Sequence, residues 1–250
     1  MKKNIITLLI VILLITSALL IYKNRSKIKN EVNLEKSEVI LSEPETKNTN
    51  ENSDQTKTAT EQSLPDSAII KMPFLVQAPF ANWDPTHEDA CEEASLIMVY
   101  HHINKTNISG QDQGEKEILD LVNYEGQNGY GLSITLEQLA NISKSYFGLK
   151  NPRIVEDVTI ENIKAEIADG KSVIIPAAGK ILPNPNFKNG GPNYHMLVVK
   201  GYGDGYFITN DPGTKNGEGF KYKYEDLINA IHNWNADNIL NGEKAYLVFD

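Results

Sequence analysis

The order of secondary structure predicted along the chain constrains its fold more than any other feature. Apolar residues recur at helical spacing in four segments between residues 89 and 169, whereas strand-like segments follow between residues 172 and 249. Helices first and strands later are typical of an α+β domain. We therefore predict an α+β fold in which an N-terminal helical half packs on a C-terminal antiparallel sheet.

The individual elements follow from periodicity and from Gly, Pro and capping residues. The predicted helices cover residues 89–102, 115–124, 135–147, 159–169 and 224–234. The predicted strands cover residues 69–76, 172–177, 194–202, 206–210 and 244–249. The long loop 178–193 is rich in Gly, Pro and Asn, a composition and length typical of binding loops.

Composition divides the chain into three parts. Ile5 to Tyr22 is an apolar run of 18 residues with basic flanks, long enough to cross a bilayer as a helix. We predict an N-terminal membrane anchor at residues 1–30, with a cleaved secretory signal near Thr16 as the alternative. Residues 31–66 are polar and lack aromatic side chains, which predicts a disordered linker. Residues 67–250 form the predicted domain, which we expect outside the cytoplasm.

Charge disfavours nucleic acid as a partner. The net charge is -9, and the first 30 residues carry six Lys and Arg but no acidic residue. The other 220 residues therefore hold 18 basic against 33 acidic side chains. Such a surface repels a phosphate backbone, and no basic stripe with interleaved aromatic residues is present in the sequence.

The chain has a single cysteine, Cys91, at the start of the first predicted helix. Asp89 is placed to cap this helix and Glu92 to complete a capping box, which puts Cys91 in the first turn. Unpaired N–H groups and the positive helix end favour a thiolate there, whereas the neighbouring carboxylates oppose it. A lone cysteine is more often a small buried apolar residue, so its reactivity depends on partners elsewhere in the chain.

A predicted β-hairpin supplies two such partners. Strands 194–202 and 206–210 flank the turn residues 203–205. With a three-residue turn, Asp211 lies diagonal to His195 on one face of the sheet. A two-residue turn would place Asp211 on the opposite face. Asp211 also precedes Pro212, so a purely structural role in a turn is the alternative.

Acyl transfer by a thiol needs a base, a group that orients the base, and donors for the oxyanion. We predict His195 as the base and Asp211 as the residue that orients it. Gln77 and the backbone N–H of Cys91 are the predicted oxyanion donors. The five histidines are scattered, and none forms a pair at metal-ligand spacing beside a carboxylate base, so we expect neither a metal nor a cofactor.

Four segments of the sequence carry a resemblance to a known family. They are MPFLVQAPF (72–80), HEDACEEASLIM (87–98), AGKILPNPNFKNGGPNYHMLVVKGY (178–202) and ITNDPGTKNG (208–217). The chain resembles papain-like cysteine peptidases and, more narrowly, the stand-alone C39-like branch of the bacteriocin-leader-processing peptidases, family 39 of the cysteine peptidases. The resemblance implies a papain-like fold, thiol-dependent cleavage of peptide bonds, and the roles given above for Gln77, Cys91, His195 and Asp211.

Two features depart from the family pattern. Glu92 follows the cysteine where leader-processing members usually have Gly, which changes the shape of the pocket. Gln77 lies fourteen residues before Cys91, so the segment 82–88 must fold away if Gln77 is to reach the oxyanion hole.

The sequence thus predicts a monomeric, membrane-tethered cysteine peptidase that acts on peptide or protein substrates. The same chemistry would also serve a thiol amidase or acyltransferase acting on cell-wall or isopeptide bonds. The hypothesis from a different class is a surface binding module that keeps the fold without turnover.

Overall fold

The computed structural model describes residues 63–250 of the chain. The predicted anchor at residues 1–30 and most of the predicted linker lie outside these residues. None of the helices within residues 63–250 is long and apolar enough to cross a bilayer. Pro65, near the end of the predicted linker, accepts a hydrogen bond of 2.9 Å from the hydroxyl of Tyr202.

Helices occupy most of the segment between residues 85 and 168. In chain order they are α1 Pro85–Glu88, α2 Cys91–Ile103, α3 Gln111–Gln127, α4 Leu136–Ser145, α5 Ile160–Ala168 and α6 Tyr224–Ala230. All five predicted helices are present, with ends displaced by up to four residues. Thr135 caps α4 in a complete capping box and Thr159 caps α5, as the side chains of both accept a hydrogen bond from the third residue of their helix.

The strands form one antiparallel sheet. They are β1 Ala68–Ile69, β2 Arg153–Val155, β3 Ser172–Ala178, β4 Tyr194–Gly203, β5 Tyr206–Asn210, β6 Glu218–Lys223 and β7 Tyr246–Phe249. Their order in the sheet is β2-β7-β3-β4-β5-β6, and β1 pairs with the end of β4. The strand predicted at 69–76 is wrong beyond Ile69, where the chain leaves the sheet ahead of Pro73, which has no N–H to donate.

Helices cover both faces of this sheet. Every residue of β4 is buried, and its side chains alternate between two apolar clusters. Met196 and Val198 face the cluster that includes α2, α3 and α4, whereas Leu197 and Val199 face the cluster that includes α5 and α6. The α+β class and the packing of helices on an antiparallel sheet are therefore confirmed, although α5 lies on the face opposite the other early helices.

The hairpin between β4 and β5 differs from the prediction at its turn and in the register next to the turn, whereas the register at Val198 and Val199 is the predicted one. The turn has two residues, because Gly203 pairs with Tyr206. A bulge at Lys200 then shifts the pairing by one residue, so that Val198 lies opposite Asn210. Because one extra residue reverses the face that each side chain occupies, the bulge cancels the effect of the shorter turn. Asp211, the residue after Asn210, therefore lies on the predicted face of the sheet.

Candidate active site

Cys91 is the first residue of α2 and follows directly on the short helix α1. Its N-cap is Ala90, and no side chain caps the helix. The capping box predicted for Asp89 and Glu92 is therefore wrong. Asp84 caps α1 instead, where its carboxylate accepts a hydrogen bond from the N–H of His87. As the first helical residue, Cys91 keeps a backbone N–H without an acceptor inside the helix.

The thiol of Cys91 is buried, and its surroundings favour the protonated form. Its Sγ donates a hydrogen bond of 2.8 Å to Glu92 Oε2 and accepts one of 3.3 Å from the N–H of Met196. Burial raises the pKa of Cys91 well above its usual value, and the charge of Glu92, the hydrogen bond to it and the charge of Glu93 raise it further. Cys91 is therefore a neutral thiol in this arrangement.

Glu92 turns inward to reach that thiol. Only 1% of the residue is exposed, and its second carboxylate oxygen accepts a hydrogen bond of 3.4 Å from the N–H of Ile134. Burial and the charge of Glu93 raise the pKa of Glu92 well above the ordinary value. The carboxyl group thus occupies space beside the sulfur that a glycine at this position would leave empty.

His195 and Asp211 form a buried pair on the sheet. His195 lies in β4 opposite Ala177 of β3, and its Nε2 is 2.8 Å from Asp211 Oδ1. A ring nitrogen that binds a carboxylate carries the proton, so Nδ1 is the nitrogen free to accept one. The structure thus brings together two of the residues that the sequence predicts for the site.

Three further groups hold Asp211 in place. Tyr222 of β6 and Asn184 of the 178–193 loop donate to Oδ2 at 2.6 and 3.1 Å, and the N–H of Gly213 donates to Oδ1 at 3.0 Å. Burial raises the pKa of Asp211, but the charge of His195 and these hydrogen bonds outweigh it, so the pKa lies below the ordinary value. Asp211 is therefore an ionised carboxylate.

Cys91 and His195 approach each other across the boundary between α2 and the sheet. The N–H that contacts the sulfur belongs to Met196, the residue directly after His195. Within residues 63–250, no hydrogen bond joins the thiol to the imidazole, and Nδ1 of His195 has no hydrogen-bond partner. The ring of Phe187 packs edge-on against the imidazole, with centroids 5.2 Å apart. The thiol thus contacts the backbone directly after His195 and is not hydrogen-bonded to the imidazole.

Gln77 lies buried beside the end of α1. Its Nε2 donates to the carbonyls of His87 and Glu88 at 2.8 and 3.0 Å, and its backbone N–H donates to Pro212. Both amide hydrogens are therefore engaged, while Oε1 is buried without a hydrogen-bond partner among the described residues. The segment 82–88 does not fold away from Gln77 but packs against it.

Sequence reasoning missed four side chains around these residues. The sequence indicates Glu92 as a capping residue, as a charge that opposes the thiolate and as a departure from the family pattern, but not as the hydrogen-bond partner of the thiol. It does not predict β6, which carries Tyr222. Asn184 and Phe187 lie in the 178–193 loop, where length and composition indicated binding but not individual roles. The alternation of Phe220, Tyr222 and Tyr224 was the one pattern that could have indicated β6.

Within residues 63–250, neither a cluster of metal ligands nor the cavity of about 860 Å³ coincides with these residues. No group of three or more His, Cys, Asp or Glu residues within 63–250 is placed to hold a metal ion. The cavity of about 860 Å³ lies near His101 and His102, at the opposite end of α2 from Cys91. The chemistry indicated by the sequence is therefore not located in the largest of the cavities described.

Comparison with known proteins assigns the chain to a family. The model of the Peptidase_C39 like family matches residues 69–239, a span that includes Gln77, Cys91, His195 and Asp211. The chain belongs to this family. No curated protein matches this C39-like chain in sequence.

A solved structure shares the fold of this C39-like chain. It is the crystal structure of a protein from Bacillus anthracis described as a candidate C39-like peptidase. The TM-score is 0.50 at 16% sequence identity, and the match covers 74% of this chain and 98% of the other. This likeness shows that the chain and the other protein share a fold, in agreement with the family assignment.

Proposed function

We propose that this C39-like protein is a thiol-dependent peptidase in which Cys91, His195 and Asp211 form the catalytic triad. The observation that carries the proposal is the buried 2.8 Å contact between His195 and Asp211. The next residue of the strand, Met196, donates its N–H to the sulfur of Cys91. An orienting carboxylate behind an imidazole, with a thiol at a helix start beyond it, is the arrangement that acyl transfer requires.

The proposed reaction begins when the thiol proton passes to Nδ1 of His195. The sulfur then attacks the carbonyl carbon of the peptide, and the oxyanion that forms is stabilised by the backbone N–H of Cys91. His195 returns the proton to the amine as the C–N bond breaks, leaving a thioester on Cys91. Water, activated by His195, hydrolyses the thioester. Asp211 stays ionised throughout and stabilises the imidazolium.

Two residues must change partners in this scheme. The thiol has to leave the carboxylate of Glu92 before it can give its proton to His195. Gln77 has to release the carbonyl of His87 or Glu88 before Nε2 can donate to the oxyanion. We therefore propose that substrate binding brings about both changes. For Gln77, the carbonyl of the bound peptide would replace the carbonyl of His87 or Glu88 as the acceptor of Nε2.

One observation favours a second candidate function. The thiol is neutral and hydrogen-bonded to Glu92, and a peptidase resting as a thiolate–imidazolium pair would not show this contact. A binding module that retains the fold without turnover would be compatible with it. A thiol amidase or acyltransferase with the same triad differs only in its substrate.

Cleavage profiling of the full-length protein against a peptide library distinguishes these functions. We expect Cys91→Ala and His195→Ala to abolish cleavage, whereas His102→Ala, a histidine at the other end of α2, retains it. Cleavage of cell-wall or isopeptide substrates alone, dependent on Cys91, would identify the amidase. If wild type and Cys91→Ala give the same products from every substrate, the enzyme proposal is wrong and the binding module is favoured.

We also propose that residues 5–22 tether the domain to a membrane, with residues 67–250 outside the cytoplasm, and that the protein acts as a monomer without cofactor or nucleic acid. The 18-residue apolar run supports the tether. We expect activity from a reporter that is fused after residue 250 and that works only outside the cytoplasm. We also expect deletion of residues 1–30 to abolish membrane association. A soluble cytoplasmic reporter signal would contradict both.

A further inference from the structure

His87 of α1 is a buried histidine that lies between two carboxylates. Only 3% of the residue is exposed. Its Nδ1 lies 2.8 Å from Asp84 Oδ1, and its Nε2 lies 3.1 and 3.2 Å from the two carboxylate oxygens of Glu115 on α3. A neutral imidazole has one N–H and one lone pair, so it can donate to only one of two carboxylates. Both contacts are hydrogen bonds only when the ring is a doubly protonated imidazolium.

His101 on α2 makes a similar pair of contacts without this requirement. Its Nε2 lies 2.8 Å from Glu117 Oε2, and its Nδ1 lies 2.7 Å from the hydroxyl of Thr106. A hydroxyl can either donate or accept a hydrogen bond, so a neutral His101 donates to Glu117 and accepts from Thr106. Of these two buried histidines, only His87 loses a hydrogen bond when its ring loses a proton.

The charged groups that face the ring of His87 are the carboxylates of Asp84 and Glu115. Within residues 63–250, no other charged side chain forms an ion pair with this ring. The adjacent Glu88 is exposed, and the segment 72–81, which contacts α1 through its glutamine, contains no titratable residue. Hydrogen bonds from the backbone N–H and the ring of His87 hold the pKa of Asp84 below its ordinary value. Asp84 is therefore ionised, and a neutral ring has no second proton for the other carboxylate.

The contact between His87 and α3 holds in place the backbone that occupies Gln77. The carbonyl of His87 accepts a hydrogen bond of 2.8 Å from Gln77 Nε2, and the carbonyl of Glu88 accepts another of 3.0 Å. Loss of the ring proton removes a hydrogen bond between α1 and Glu115 or Asp84, so less energy is needed to withdraw the two carbonyls. Nε2 of Gln77 is then free to donate to an oxyanion.

We propose that His87 is a pH-sensitive latch, which in its protonated form fixes α1 against α3 and keeps Gln77 out of the oxyanion hole. Loss of the ring proton releases α1 and makes Gln77 available. Histidine is the side chain whose charge ordinarily changes between pH 5 and 8, which sets the range for a test. The inference rests on the proposed peptidase function, because it assigns a form of regulation to the same site. His87 and Glu115 are positioning residues in this proposal, since they act through Gln77.

Hydrogen–deuterium exchange of the full-length protein, measured by mass spectrometry, tests the latch without turnover. The measured quantity is the protection factor of peptides that cover residues 84–89, which is the intrinsic exchange rate divided by the observed rate at the same pH. The N–H groups of His87, Glu88 and Asp89 are all hydrogen-bonded within this segment. Because a charge-assisted hydrogen bond is lost, we expect the protection factor of wild type to be about tenfold higher at pH 5 than at pH 8.

Two substitutions should abolish this pH dependence in opposite directions. In Glu115→Gln the side-chain amide can donate to Nε2 of a neutral His87 while Nδ1 still donates to Asp84, so high protection should persist at pH 8. His87→Leu removes both contacts, so protection should be low at both pH values. The matched control is Glu117→Gln, which changes the carboxylate beside His101 on the same helix and should retain the wild-type pH dependence.

The outcomes separate this proposal from the proposed function. The latch proposal is wrong if wild type is equally protected at pH 5 and pH 8, or if Glu115→Gln responds to pH as wild type does. Failure of one variant to fold leaves the other, and the wild-type comparison needs neither. If protection changes as expected but wild type cleaves no peptide, the latch is present and the peptidase function is what fails. If cleavage depends on Cys91 while protection does not change with pH, the peptidase function holds and the latch is what fails.

Discussion

Replacing Glu125 by Gln should change how the stability of the domain depends on pH. Glu125 lies on α3, where burial raises its pKa from 4.5 to about 7. The folded protein therefore holds a proton on this group more tightly than the unfolded chain does. A glutamine has nearly the same shape and does not titrate, so the variant removes this effect with little change in packing.

The sign and size follow from linkage. An acid whose pKa is raised by folding contributes stability that is fully present below pH 4.5 and is lost as the pH rises through about 7. The gap between these two values corresponds to about 3 kcal/mol of unfolding free energy. The unfolding free energy of Glu125→Gln minus that of wild type should therefore be about 3 kcal/mol larger above pH 7 than at pH 4.5.

Urea unfolding at several pH values between 4.5 and 8 measures this quantity, with the fluorescence of Trp83 and Trp234 as the probe. The matched control is Asp120→Asn, which removes an exposed carboxylate from the same helix. At every pH we expect it to differ from wild type by less than about 0.5 kcal/mol, as surface substitutions usually do.

The reasoning would be refuted by parallel curves for wild type and Glu125→Gln across this range. Such a result would mean that the carboxyl group is solvated in solution. A variant that is equally destabilised at every pH would instead indicate a lost packing contact.

Three further substitutions probe the site itself. Glu92→Ala removes both the charge and the hydrogen-bond acceptor that raise the pKa of Cys91, so that pKa should fall and iodoacetamide should alkylate the thiol faster than in wild type at pH 7. Tyr222→Phe takes a 2.6 Å hydrogen bond from buried Asp211 and should lower the unfolding free energy by about 1.5–3 kcal/mol, measured in urea, with a loss of any peptidase activity. Gly213→Ala places a Cβ 2.9 Å from the imidazole of His195, so it should lower the unfolding free energy by about 1–3 kcal/mol and reduce activity. Unchanged stability and activity in Tyr222→Phe or Gly213→Ala would show that the packing around His195 and Asp211 is looser than described.

Periodicity predicted the helices and the principal strands, because their apolar faces are long and regular. It failed at short or polar elements. β2 has three residues, and β6 (EGFKYK) carries charged residues at its ends and centre that conceal the alternation of its aromatic side chains. Such strands are held by neighbours already in the sheet rather than by their own pattern.

The hairpin shows why the site could be predicted only in part. The placement of Asp211 near His195 was derived from a three-residue turn that the structure does not contain. The bulge at Lys200 restores the face, and its one local signal in the sequence is Gly201, because a glycine inside a strand often marks a bulge. The predicted proximity of Asp211 to His195 is therefore correct, although the three-residue turn from which it follows is wrong.

The partners of the thiol could not be obtained from sequence at all. Glu92 has the spacing of a capping residue, but its side chain is buried and accepts a hydrogen bond from the N–H of Ile134, 42 residues further along the chain. Likewise, Gln77 has the spacing of an oxyanion donor, but the segment 82–88 supplies two carbonyls that occupy its amide. Both outcomes depend on contacts between residues that are distant in sequence.

The rate at which iodoacetamide alkylates full-length wild type and His195→Ala near pH 7 decides whether the imidazole activates the thiol. Cys91 is the sole cysteine of the chain, so the label reports that sulfur alone. With its pKa raised by burial and by Glu92, the thiol ionises only by passing its proton to His195, and the variant should react about tenfold or more slowly. Equal rates in the two proteins would show that sulfur and imidazole do not act together.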